Sequence, residues 1–99
     1  MIAVLGTFRF PPEALDGARP LMRAVIDATL AEPGCRAYSY AEDVAESGLF
    51  RVTELWDSRE ALSAHFAMPH MTAWAEQRAR LGFFDRRIAA YEVGAAEVL

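Results

Sequence analysis

The placement of proline and glycine constrains this chain more than any single motif does. Pro11-Pro12, Pro33-Gly34, Glu46-Ser47-Gly48, Met68-Pro69 and Gly82 cut 99 residues into short runs whose periodicity can be read one at a time. Ile2 to Phe10 is a β-type run ended by prolines that cannot continue a ladder. Pro12 and Glu13 suit a first helical turn. Leu15, Ala18, Met22, Val25 and Thr29 then recur at spacings of three and four, widened by Leu21, Ile26 and Leu30, which predicts an amphipathic helix ending before Pro33. Arg36 to Asp43 reads as a second strand, with Tyr38 and Tyr40 on one face. A polar turn joins it to a third, Leu49 to Trp56, as an antiparallel hairpin. A helix from Ser58 is broken at Met68-Pro69, and Pro69 opens another that carries Met71, Trp74, Ala75, Arg78 and Leu81 on one side. Gly82 ends that helix in the left-handed position, and Phe83 to Val93 is the last strand. This order predicts one α+β domain over residues 1–99: a ferredoxin-like βαββαβ unit, its four-stranded antiparallel sheet covered by helices on one face.

The strands are apolar on both sides: Val4, Phe8 and Phe10 oppose Ala3 and Leu5, and Phe50, Val52 and Trp56 oppose Leu49 and Leu55. Helices can cover only one side, and 54% of the chain is apolar, so a second copy is the expected cover and a homodimer the expected state. The net charge of −4 argues against nucleic acid or an anionic membrane as partner. No apolar run approaches the roughly 20 residues that span a bilayer, and Met1 to Leu5 lacks the basic flank of a signal peptide. Cys35 stands alone, which excludes a disulfide framework and fits a reducing, cytoplasmic compartment.

The densest chemistry lies between Glu54 and His70. Asp57 and Glu60 have the spacing of a capping box. Leu62 and Phe66 share a helical face, with His65 at its edge. His65 and His70 are five apart across Pro69, which misses the i, i+4 geometry of a helical metal pair, and no carboxylate in the sequence is fixed beside them; no metal is expected. There is no glycine-rich phosphate loop or dinucleotide fingerprint.

Ala31–Asp43 (AEPGCRAYSYAED) and Phe50–Met71 (FRVTELWDSREALSAHFAMPHM), in this element order, resemble the antibiotic biosynthesis monooxygenase (ABM) domain from about Ile2 to Val93. The resemblance implies a dimeric α/β barrel of two ferredoxin-like subunits, with a pocket in each between sheet and helices. It also implies a possible reaction: some members oxidise phenols or hydroquinones to quinones with O₂ and no cofactor. Haem-degrading relatives use an asparagine on the first strand, and this chain has no asparagine.

Cofactor-free oxidation needs a base, a stabiliser for the phenolate and a dry apolar cage. His65 is the first candidate base and His70 the second, because an imidazole titrates near neutrality. Arg86 or Arg87, or the hydroxyls of Tyr38 and Tyr40, are candidate stabilisers. Phe8, Trp56, Phe66, Met71 and Trp74 are candidate substrate-stacking surface. The expected ligands are a small aromatic molecule and O₂, with binding governed by planar apolar shape rather than charge. Each residue also has a plainer reading: the histidines as satisfied packing groups, the tryptophans as core anchors, the methionines as filler. Two other functions remain open on the sequence. One is a small dimeric ligand-binding or stress-associated domain without catalysis. The other is an isomerase of an enolisable sugar phosphate, whose phosphate would need Arg86, Arg87 and Arg9 to converge.

Overall fold

A computed structural model describes all residues from Met1 to Leu99. Strand β1 (Ile2–Arg9) leads through a 3₁₀ turn at Pro12–Ala14 into helix α1 (Leu15–Leu30). Strands β2 (Cys35–Glu42) and β3 (Leu49–Trp56) follow, then helices α2 (Arg59–Phe66) and α3 (Pro69–Arg80), and strand β4 (Phe84–Glu92). The sheet order is β2-β3-β1-β4 and every neighbouring pair is antiparallel. This is the ferredoxin-like α+β arrangement that the breakers predict, and in a single chain the sheet is open.

The apolar stripe of α1 packs as its spacing requires: Leu15, Ala18, Met22, Val25 and Thr29 are its buried residues. The first four of these meet Phe8, Phe10, Phe50, Val52 and Trp74 in one core cluster, while Ile2, Val4, Tyr38, Trp56 and Leu62 form a second toward α2. On the other face of the sheet Ala3 pairs with Leu55 and Tyr91. There Leu5 is 48% and Tyr91 53% exposed, an uncovered apolar surface.

Two details of the sheet set up the site. A side chain at Gly6 would place its Cβ 2.0 Å from the Arg87 carbonyl oxygen, so only glycine lets β4 approach β1 this closely. The β1–β4 register then shifts between Thr7 and Arg9, where Asp85 takes a left-handed backbone (φ 52°). This bulge re-aims the strand: Arg86 lines a cavity under the helices, whereas Asp85 pairs with Arg9 and Arg87.

Two local expectations about α2 are corrected. The helix cap is Ser58, not Asp57: Ser58 is extended (φ −156°), and its Oγ accepts from the Ala61 amide at 3.1 Å. Because the helix begins at Arg59, Ser58 is the residue placed to cap, and the Asp57 carboxylate pairs with Arg36 instead. The buried face of α2 is Leu62 and His65, and Phe66 is 53% exposed. His65 goes inside because its polar edge finds a buried partner, as described next.

Candidate functional site

The Glu32-Pro33-Gly34 turn aims the key carboxylate. Gly34 is left-handed (φ 80°), and a Cβ there would lie 2.7 Å from that of Ala61, so the turn rests directly on the first turn of α2. The Gly34 carbonyl accepts from the Asp57 amide at 2.9 Å, which fixes the contact. Glu32 thereby faces the histidines: its Oε2 is 2.8 Å from His65 Nδ1 and 2.7 Å from His70 Nε2. Glu32 and His65 are buried, and the His70 side chain is 25% exposed. A carboxylate can only accept, so both ring nitrogens carry the protons in these bonds. His65 is thus held in the tautomer with its proton on Nδ1, leaving the lone pair of Nε2 free. Burial lowers the His65 pKa and outweighs the pull of Glu32 upward, so the ring is neutral at neutral pH.

Trp56 lies behind this ring, 4.8 Å between centroids, and donates Nε1–H to Glu54 Oε1 at 2.9 Å. Burial raises the pKa of Glu54. In front of the ring is a closed cavity of about 20 Å³ between sheet and helices. Eight of the sequence candidates line it: Phe8, Tyr38, Tyr40, His65, Phe66, Met71, Trp74 and Arg86. The Tyr38 and Tyr40 hydroxyls are 2.6 Å apart. Burial pushes both phenols up, Tyr40 to about 12 and Tyr38 further, so both remain protonated donors at neutral pH. Outside lies an open groove of about 590 Å³ along α3, which shares Phe66, Met71, Arg78 and Arg86 with the cavity.

Trp56, His70 and Arg87, the other three candidates, are not in the cavity wall: the first backs the His65 ring, the second bonds Glu32 nearer solvent, and the third pairs with Asp85. Three wall or support residues escape the sequence reading. Glu32 reads as a turn acid, and only the left-handed Gly34 two residues on hints that the turn is docked. Glu54 alternates with Val52 and Trp56 on the inner face of β3, and that alternation is the signal for it. Arg78 lies on the apolar side of α3, four residues after Trp74, and its guanidinium packs 4.4 Å from the Phe83 ring centroid and 5.7 Å from that of Trp74.

The expectation that charge stays peripheral is also corrected, since Glu54, Arg78 and Arg86 line the cavity itself. So is the absence of a fixed carboxylate near the histidines. Glu32, His65 and His70 offer donor atoms within 4.8 Å of one another, a two-histidine, one-carboxylate set of the kind that holds divalent transition metals. Conversely, the phosphate cradle of Arg9, Arg86 and Arg87 does not form, because Arg9 pairs with Glu46 and Asp85, and Arg87 with Asp85.

Residues 1–77, the span from β1 to most of α3, match the family model described as Antibiotic biosynthesis monooxygenase. The chain belongs to the antibiotic biosynthesis monooxygenase family. It is similar to the Mycobacterium tuberculosis protein described as "Putative monooxygenase Rv0793", with 37% identity over 92 residues, 93% of this chain and 87% of that protein. The Synechocystis protein sll1783, whose function is uncharacterised, is 30% identical over 99% of this chain and 67% of its own length. A crystal structure of a "putative antibiotic biosynthesis monooxygenase" from Deinococcus radiodurans superposes with a TM-score of 0.93 at 33% identity, covering 100% of this chain and 98% of that one. The ABM fold therefore extends through β4, beyond the span of the family model.

Proposed function

We propose that this ABM domain is a cofactor-independent monooxygenase that oxidises a phenol or hydroquinone-type aromatic substrate with O₂. The observation that carries the reading is His65: a neutral ring in the wall of an aromatic cavity, oriented by a buried carboxylate through Nδ1, with Nε2 free. Nε2 takes the phenolic proton, and Glu32 stabilises the imidazolium that forms. His70 donates to the same carboxylate from its partly exposed position and so helps hold Glu32 against His65. The Tyr38–Tyr40 pair stabilises the phenolate oxygen. The phenolate passes one electron to O₂, the radical pair combines as a carbon-bound peroxide, and its O–O bond breaks to leave a quinone and water. Each step balances without an outside reductant.

The resting cavity holds about one water, whereas a benzene-sized guest occupies a cavity of about 150 Å³. Substrate entry therefore requires Phe66 and Met71 to swing into the groove they already line. One is more than half exposed and the other is unbranched and flexible. The same small volume supports a second reading, a binding module whose histidines only satisfy Glu32. We also propose that the uncovered sheet face around Leu5, Leu55 and Tyr91 pairs with a second copy, closing the two sheets into a dimeric barrel. No helix of the chain is long and apolar enough to cross a membrane.

Oxygen uptake by chelator-treated protein over a panel of hydroquinones and catechols separates the readings. The proposal expects uptake that EDTA does not abolish, with one water per quinone. Uptake lost on chelation and restored by a divalent metal would make Glu32, His65 and His70 a metal centre. No uptake with any phenol would leave the binding module.

A further inference from the structure

Seven of the ten arginines end in an ion pair: Arg9, Arg19, Arg23, Arg36, Arg51, Arg59 and Arg87. The three that do not are Arg78, Arg80 and Arg86, and two of these, Arg78 and Arg86, meet where the open groove joins the closed cavity. They come from different elements, α3 and the bulged start of β4. They lie close enough that Arg86 helps lower the pKa of the half-buried Arg78. Leaving two like charges together with neither in an ion pair is unfavourable. The aromatic layer of Trp74 and Phe83 holds the Arg78 guanidinium by cation–π packing, which fixes it in place without neutralising it. The other charged groups facing this junction are Glu76 on the groove side and Glu54 in the cavity wall, where it accepts from Trp56 and lies near enough to Arg86 to feel its charge. The charged residues in the groove's own lining are Arg78, Arg86 and Glu76, a formal charge of one positive.

We propose that Arg78 and Arg86 form a carboxylate subsite, so that the substrate is an aromatic monoacid: a hydroxyaryl carboxylic acid. Its phenolic end enters the cavity against His65, Tyr38 and Tyr40, and its carboxylate stays at the groove junction between the two guanidiniums. A guanidinium matches a carboxylate with two parallel donors, and the partly desolvated setting strengthens the bond. One net positive charge suits a monoanion better than a phosphate dianion. This substrate class rests on the oxidation proposed above, but the subsite can be tested without turnover.

The test is equilibrium binding under anaerobic conditions at pH 7, followed by tryptophan fluorescence, with 2,5-dihydroxybenzoate, its methyl ester, hydroquinone and phenyl phosphate. The acid is expected to bind at least 10-fold more tightly than its ester or hydroquinone, a preference that Arg86→Gln reduces to within about twofold while leaving ester affinity unchanged. Arg78→Gln should do the same. Because that change also removes cation–π packing, the exposed Arg86 position carries the test if the Arg78 variant does not fold. Equal affinity for acid and ester, a preference that survives Arg86→Gln, or tighter binding of phenyl phosphate would each overturn the subsite. Admitting air to the same samples keeps the two ideas apart: an acid that binds selectively but consumes no oxygen refutes the oxidation and leaves the subsite standing.

Discussion

Replacing Glu32 by alanine removes the group on which both histidines depend, and the structure fixes what it should cost. His70 is 25% exposed, so its Nε2–H can turn to water. His65 cannot: its side chain is 1% exposed, and Glu32 is the acceptor for its Nδ1–H. The variant therefore leaves one buried donor unpaired, which costs about 2 kcal/mol. His65 is neutral at neutral pH, so the larger penalty of an orphaned buried charge does not apply. At about 4–8 °C per kcal/mol for a domain of this size, Glu32→Ala should melt about 8–16 °C lower by circular dichroism at pH 7 and fixed concentration. Glu32→Gln keeps an acceptor for His65 and should lose less than half of that. An unchanged melting temperature in Glu32→Ala would refute the reasoning. It would mean that the cost of burying the carboxylate cancels its two hydrogen bonds, so that Glu32 does not hold His65.

Ser58→Ala should cost about 1 kcal/mol as a lost N-cap, while Asp57→Ala, which breaks only an exposed ion pair with Arg36, should cost less than half of that; paired urea melts check the contrast. The activity should fall on the acid side only. Protonation of His65 removes the base, and because its pKa is lowered the midpoint of the fall lies below the ordinary value of 6.5. The raised pKa values of Tyr38 and Tyr40 postpone any alkaline loss, so kcat/KM should be flat from pH 7 to 9. A midpoint above 7 would contradict the assignment. Light scattering at micromolar concentration should give twice the chain mass, with more than about 1,500 Å² buried in total, as stable interfaces require; a monomer would remove the barrel.

The fold was legible because each element carries its own punctuation. The stripe from Leu15 to Thr29, the bounds of the third strand and the left-handed Gly82 are all local signals, and the structure has them where the spacing puts them. The site was legible to the extent that alternation decides it. Tyr38 and Tyr40 share a face because they are two apart, and Trp74 faces inward because it lies on the stripe of its helix. What escaped depends on distant parts of the chain. Glu32 is 33 residues from His65, and only the docking of its turn on α2 brings them together. That contact also decides which side of α2 is buried, and for that reason periodicity alone favoured Phe66 over His65. The Ser58 cap was misread by one residue, because the helix starts at Arg59 and a shift that small exchanges the capping side chain. Arg78 was placed on the correct side of its helix but not seen as uncompensated, since ion pairing cannot be read from one chain's order.

The measurement closest to the central claim is the rate of substrate oxidation by His65→Ala, read beside its melting curve. The base at Nε2 predicts a fall of about 10²-fold or more in kcat in protein that remains folded, with His70→Ala losing less because it acts only beyond Glu32. A folded His65→Ala variant that oxidises hydroquinones at the rate of the parent chain would contradict the account and return His65 to a packing role.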